Sequence, residues 1–274
     1  MNIAIGITSF NRKEYLQAMV ESLRRSRGIE RCAIRVYDDC SSDYDTETLR
    51  GLIPEATEIV RRDTNMGSDR NIRQMYVDFL ETTEDVFVAI DSDLLFNPTW
   101  IECIEKYFPK TDGILSLYNS AMHATIGNVQ IEDGLFAEKE HVGSAAVVMS
   151  REVVQRIVDN IPAGDAYDWR WSKYLRKAGK RLLVSDISYI QHVGLHGYNC
   201  DGSCSVEFGL NFYPENVEDQ KIVIDFFQEL LLAKDRQIAS MYRSIEYNLG
   251  NLLLLPFKLP YQFIKKMWLV KRGA

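Results

Sequence analysis

Residues 86–90, Val-Phe-Val-Ala-Ile, fit one environment well: a β-strand with both faces covered. The run is β-branched, aromatic and aliphatic throughout, without the apolar-polar alternation of a half-exposed strand. It ends in Asp91-Ser92-Asp93, two carboxylates flanking a small hydroxyl residue. A charge inside such a strand costs several kcal/mol unless paired or metal-bound, so the acids belong at its carboxyl end, where open α/β sheets bind ligands. The i, i+2 spacing sends both side chains to the same side of an extended backbone, and hard carboxylate oxygens suit Mg²⁺ or Mn²⁺. The same pair would also serve as capping acids for a helix beginning after Asn97-Pro98.

Upstream, strand and helix patterns alternate. Asn2 to Thr8 reads as a strand, Ser9 to Arg12 as a turn, and Lys13 to Arg27 as a helix with Leu16, Met19, Val20 and Leu23 on one stripe. Arg31 to Tyr37 reads as a second strand, closed by the polar cluster Asp38 to Asp43, and a short helix and a short strand follow over 45–61. A helix from Ser68 to Leu80 follows the turn at Asp63–Gly67. This order predicts a doubly wound, mostly parallel sheet flanked by helices, whose ligand face gathers Thr8 to Phe10, Asp38, Asp39, Asp91 and Asp93.

Beyond Pro98 the pattern predicts a helix over 99–107, a strand at 113–118, and a solvated, irregular excursion over 119–140 that includes His123 and carries no chemistry. His141 to Met149 reads as a small-residue strand, Ser150 as the cap of a helix reaching Ile161, and 166–179 as a helix with Asp168 in its first turn. Strands over 180–185 and 187–193 lead to His192 and His196, and a long helical pattern spans 218–248.

The 274 residues, 46% hydrophobic, suffice for a full core, and a net charge of −7 argues against nucleic acid as a partner. Five scattered cysteines argue against a disulfide framework and for a reducing, cytoplasmic compartment. Cys200 and Cys204 lack the second pair that a zinc site wants. The amino terminus reads as a first strand rather than a signal peptide, and no apolar run reaches the roughly 18 residues of a spanning helix.

The stretches ITSFNRKEYL, VYDDCSSD, NMGSDRNIRQ, AIDSDLLFNPTW and YDWRWSKYLRKAG, in this order, resemble the family 2 glycosyltransferases of the GT-A fold over roughly residues 1–196. The resemblance implies a catalytic domain, expected over 1–215 with a nucleotide-binding half at 1–97 and an acceptor half at 98–215, and the helical pattern beyond it predicts a helical tail at 216–274. It implies that Thr8, Phe10 and Arg12 border the base or ribose, that Asp39 bonds the base, and that Arg70 lies near the nucleotide. Asp91, Ser92 and Asp93 match the Asp-X-Asp motif that holds Mn²⁺ or Mg²⁺ against the diphosphate, and His192 matches a late histidine used as a further metal ligand or diphosphate contact, with His196 as the second candidate. Asp168 matches the general base of inverting enzymes. The family places an acid before it where this chain has Tyr167, so the assignment stays open between Asp168 and Asp165.

The implied activity is transfer of a sugar from a nucleotide donor, UDP-linked by preference because a carboxylate can accept from uracil N3–H, to a hydroxyl of a glycan or lipid-linked glycan. A sugar nucleotidyltransferase is the alternative enzyme, although GITSFNRKE lacks the glycine-rich basic loop it would need. A non-catalytic carbohydrate-binding protein with a degenerate site is the alternative of another class. Residues 247–274 carry five basic residues and no acid among many apolar ones, so 249–272 reads as a segment lying on the inner, anionic membrane surface, where each basic residue adds on the order of 1 kcal/mol, with a helix covering the catalytic domain or a dimer partner as the alternative.

Overall fold

A computed structural model describes residues 1–195, 208–244 and 248–249. The chain runs β1 (Ile3–Ser9), α1 (Lys13–Arg24), β2 (Ala33–Asp38), α2 (Thr46–Leu52), β3 (Ala56–Arg61), α3 (Ser68–Leu80), β4 (Val86–Asp91) and β5 (Leu94–Phe96). It continues with α4 (Trp100–Tyr107), β6 (Ile114–Ser116), β7 (Thr125–Ile131), β8 (Gly134–Lys139), β9 (Val147–Ser150), α5 (Arg151–Asn160), α6 (Tyr167–Lys177), β10 (Leu183–Ser185), β11 (Ile190–His192) and α7 (Val217–Arg243).

The described residues form a nine-stranded sheet in the order β3-β2-β1-β4-β9-β6-β10-β8-β7. The first four strands are mutually parallel, as the alternating pattern predicts, and the later strands are mixed, with β9 antiparallel to both β4 and β6. Side-chain alternation in β4 explains its wholly apolar run. Val86, Val88 and Ile90 enter one core, with Leu16, Met19 and Trp100, whereas Phe87 and Ala89 enter the other, with Met75, Tyr76 and Trp171. Both faces of the strand are therefore covered, and its acids are expelled to the end. Gly6 in β1 is dictated by the same packing, because a Cβ there would lie 2.4 Å from Phe87 Cζ and 2.6 Å from Met75 Sδ.

Two regions differ from the sequence pattern. The excursion at 119–140 contains a regular hairpin, β7 paired antiparallel with β8, and His123 is buried rather than solvated. The strand read over 141–149 begins only at Val147. Ala146 adopts a left-handed backbone (φ 53°), and Ser172 of α6 clamps Val142, its Oγ donating to the Val142 carbonyl at 2.9 Å, so this loop is tied to a helix instead of the sheet.

Contacts divide the chain into two units: residues 1–194 with 206–223, which hold the sheet, and residues 195–205 with 224–274. In the first, Asp219 at the start of α7 is buried and accepts from Ser22 Oγ at 3.0 Å while pairing with Arg25 at 2.5 Å. In the second, α7 exposes Ile224, Leu231, Leu232, Ile238, Met241 and Tyr242. Among the described residues no helix is long and apolar enough to cross a membrane. The basic segment 249–272 lies outside the described residues except Leu249, as do His196, Cys200 and Cys204.

Candidate active site

The carboxyl ends of β1, β2 and β4 lie side by side. Register pairs Thr8 with Asp91, and Thr8 Oγ1 donates to Asp91 Oδ1 at 3.0 Å. Register also pairs Ser9 with Asp38, whose fully buried carboxylate accepts from Ser9 Oγ at 3.2 Å, from Ser41 and from Arg61 Nη1 at 2.8 Å. Asp38 thus fastens β1, β2 and β3 together, and because Arg61 is 30% exposed and can rehydrate, removing one partner costs roughly 1–3 kcal/mol.

Asp39 points the other way. Its Oδ1 accepts from Met66 N at 2.8 Å and its Oδ2 from Gly67 N at 2.9 Å, which pins the turn before α3. The nucleotide-contacting role expected of this carboxylate therefore begins from one already engaged by backbone donors; each oxygen keeps a further lone pair for a ligand.

Two loops meet over the crevice. Asn11 N donates to Ser41 Oγ at 2.8 Å, Asn11 Oδ1 accepts from Ser42 N at 2.7 Å, and Arg12 N donates to Asp43 at 3.0 Å. Asn11 and Arg12 both take left-handed backbones (φ 52° and 56°), costly for residues with a Cβ and held here by those bonds. The result aims the Arg12 guanidinium at Asp93, at 2.8 Å. Arg12, expected beside the base or ribose, is engaged by Asp93 of the Asp-X-Asp motif, toward which the left-handed turn directs it.

His192 arrives from far along the chain. β11 pairs antiparallel with β5, placing His192 opposite Leu94, and Val193 N donates to the Asp93 carbonyl at 2.9 Å. His192 Nε2 consequently lies 3.2 Å from Asp93 Oδ1. Burial opposes ionisation of Asp93, but His192 and Arg12 outweigh it and hold the carboxyl well below the usual carboxylate range. Burial, and then the charge of Asp93, push Asp91 upward. Ser92 between them is buried.

Among the described residues no three His, Cys, Asp or Glu side chains already form a metal cluster. The donor set nevertheless fits a hard divalent cation. Asp93 Oδ1 is buried and faces His192 Nε2 at 3.2 Å, and Asp91 is a second carboxylate, pushed up by burial and then by the Asp93 charge.

Asp168 sits in the first turn of α6, after a left-handed Ala166 (φ 54°) that turns the helix start. Its Oδ1 accepts from Trp169 N at 2.8 Å. Burial raises its pKa to about 6; Trp169 N–H and His123 lower it, whereas Asp69 and Asp91 raise it further. Asp168 therefore feels the Asp91 charge, while Asp165 is exposed in the preceding turn. Arg70 is exposed on α3 and Phe10 is half-buried. Sequence reasoning missed His123, His141 and Trp169, whose rings form one group beside Asp168: His141 stacks on Trp169 with centroids 3.7 Å apart and planes at 13°, and His123 meets His141 edge-on at 4.7 Å.

The fold recurs in solved glycosyltransferases. S. aureus TarS 1-349 in complex with UDP-GlcNAc matches at 15% identity and TM-score 0.56, covering 75% of this chain and 62% of that one. A GalNAc-T7 structure with UDP, GalNAc and Mn²⁺ matches at 11% identity and TM-score 0.61, covering 74% and 46%. The chain thus spans about three fifths of the TarS fragment's length and under half of GalNAc-T7. No curated protein matches the sequence. The glycosyl transferase family 2 profile matches residues 4–123, the stretch that contains Thr8, Arg12, Asp39, Asp91 and Asp93. Over residues 4–123 the sequence is similar to glycosyl transferase family 2, and the fold as a whole is similar to that of GT-A glycosyltransferases.

Proposed function

We propose that this protein transfers a sugar from a UDP-sugar to a hydroxyl of a glycan or glycolipid, by direct displacement with inversion. The observation that carries this reading is Asp168: a carboxyl in the first turn of α6 pushed up to about 6, first by burial and to a smaller extent by Asp69 and by Asp91 at the carboxyl end of β4. A pKa just below neutrality leaves Asp168 mostly ionised at pH 7 and still basic enough to take a proton, as a general base requires. It would accept the acceptor's proton as the hydroxyl oxygen attacks the anomeric carbon opposite the departing diphosphate. Thr8, Phe10 and Asp39 frame the nucleotide, with the free lone pairs of Asp39 available to uracil N3–H. Asp91, Asp93 and His192 would hold Mn²⁺ or Mg²⁺, which when bound supplies positive charge to the diphosphate. Arg12 is then free to leave Asp93 for a phosphate oxygen, to which its planar donors are suited.

UDP-sugars such as UDP-GlcNAc and UDP-GalNAc, offered with Mn²⁺, should raise the melting temperature more than GDP- or dTDP-sugars do; saturation at a hundred times Kd contributes about 2.7 kcal/mol. The absence of any metal-dependent nucleotide effect on melting would remove the transferase reading. We also assign residues 249–272 to an anionic membrane surface, which suits a lipid-linked acceptor and a peripheral place on the inner face of the membrane. The full chain should sediment with phosphatidylserine vesicles and be released by salt, and a chain ending near residue 247 that sediments equally well would end that assignment.

A further inference from the structure

Trp169 poses a physical problem that the donor site leaves unsolved. It is 58% exposed, whereas Trp171, two residues along the same helix, is fully buried. An indole in water is unfavourable by the area it leaves uncovered, yet this one is held in place. One ring face rests on His141, itself 4% exposed, and the buried His123 braces the stack edge-on from the side. The loop beneath is fixed in turn: the buried Lys139 ammonium donates to the carbonyls of Ser120 at 3.2 Å and His123 at 2.9 Å. The stack therefore presents a flat, rigid, electron-rich surface whose outer side faces solvent, with little side-chain entropy left to lose on binding.

Its position ties it to the chemistry. The Trp169 backbone N–H donates to Asp168, and a Cβ on Gly143 would lie 3.6 Å from Asp168 Oδ2 and 3.8 Å from His123 Cε1, so the candidate base and the aromatic stack border the same loop. We propose that the Trp169–His141–His123 stack is the acceptor platform, and that it takes a pyranose ring whose C–H face lies against the indole while a ring hydroxyl meets Asp168. A six-membered ring suits this surface because its axial C–H bonds present positive edges to the negative face of the indole, and its hydroxyls point sideways, toward the carboxylate. A flexible polyol offers no such flat face. This assignment rests on the transferase reading for its chemistry, but its binding test does not.

The test uses the full chain labelled with 5-fluorotryptophan, in which the Trp169 signal among the four tryptophans is identified by its loss in Trp169→Phe. With UDP and Mn²⁺ present, methyl glycosides of glucose, galactose, mannose and N-acetylglucosamine are titrated in both anomers, beside ribitol and glycerol. At least one pyranoside should shift the Trp169 signal saturably while the polyols do not, and His141→Ala should weaken that pyranoside about tenfold by loosening the indole. Three outcomes overturn the platform: UDP binds but no pyranoside moves the signal, the polyols move it equally, or His141→Ala binds the pyranoside as tightly as the native chain. Pyranoside binding without any UDP or UDP-sugar binding keeps the platform and removes the transferase reading instead.

Discussion

Asp168→Asn should reduce turnover at pH 7.5 by about 10²–10⁴-fold, the range of a lost general base, with the donor-induced rise in melting temperature retained. Asp165→Asn should stay within about twofold of the native rate, because Asp165 is exposed whereas Asp168 is half-buried. Equal losses in the two variants would return the base assignment to the open state in which the sequence leaves it. The pH profile gives a second check. The pKa of Asp168 is raised by burial, then by Asp69 and Asp91, to about 6, so native turnover should fall as pH drops through 6 and level off above 7.

Stability must follow the opposite sign. A carboxyl whose folded pKa exceeds its unfolded value of 3.8 stabilises the fold while protonated, and that contribution is lost as pH rises from about 4 through 6. At pH 7.5 the ionised Asp168 is therefore a liability. Asp168→Asn should melt higher there, by something on the order of 1–2 kcal/mol after allowance for solvent screening, and the advantage should vanish near pH 4. A variant both inactive and more stable is hard to produce by misfolding, which makes the pair of results diagnostic of a strained functional carboxylate.

The parts of this site legible in the sequence are those that local patterns determine. The apolar run 86–90 forces its acids to the strand end, and parallel register then sets Asp91 beside Thr8 and Asp38 beside Ser9. Long-range pairings are another matter. His192 reaches Asp93 only because β11 pairs with β5 in one particular register, and a shift by one residue would turn the imidazole to the opposite side. The small residues 143–146 hid the contact between His141 and Trp169 for a different reason. Their composition suits a strand, but Ala146 turns left-handed and Ser172 captures Val142, so the segment leaves the sheet and carries His141 to Trp169. Arg12 was legible as a basic residue just beyond the end of β1 but not as a partner of Asp93, since nothing in FNRKE announces two consecutive left-handed residues.

Asp93→Asn should lower turnover by at least about 10³-fold, and its cause can be separated from simple loss of an ion pair. The Asp93 side chain is 4% exposed and is gripped from two sides, by Arg12 at 2.8 Å and His192 at 3.2 Å. The backbone at Gly194 packs so closely that a Cβ there would stand 2.1 Å from Asp93 Oδ2. The space therefore accepts Asn, which is isosteric, while the charge disappears. Breaking a fully buried pair costs about 3–5 kcal/mol, but Arg12 is 33% exposed and can rehydrate, so a loss of roughly 1–3 kcal/mol in chemical denaturation is expected. Arg12→Ala removes the same ion pair but leaves both carboxylates. If Asp93 matters only as the anchor of Arg12, the two variants should bind Mn²⁺ alike, as read by the free-ion signal in electron paramagnetic resonance. If Asp93 is a cation ligand, Asp93→Asn should bind Mn²⁺ at least about a hundredfold more weakly than the native chain. Arg12→Ala should bind it as tightly or more tightly, since no cationic side chain then competes for the carboxylate. Native turnover or native Mn²⁺ affinity in Asp93→Asn would take the metal away from this motif and leave Arg12 as the charge that faces the diphosphate.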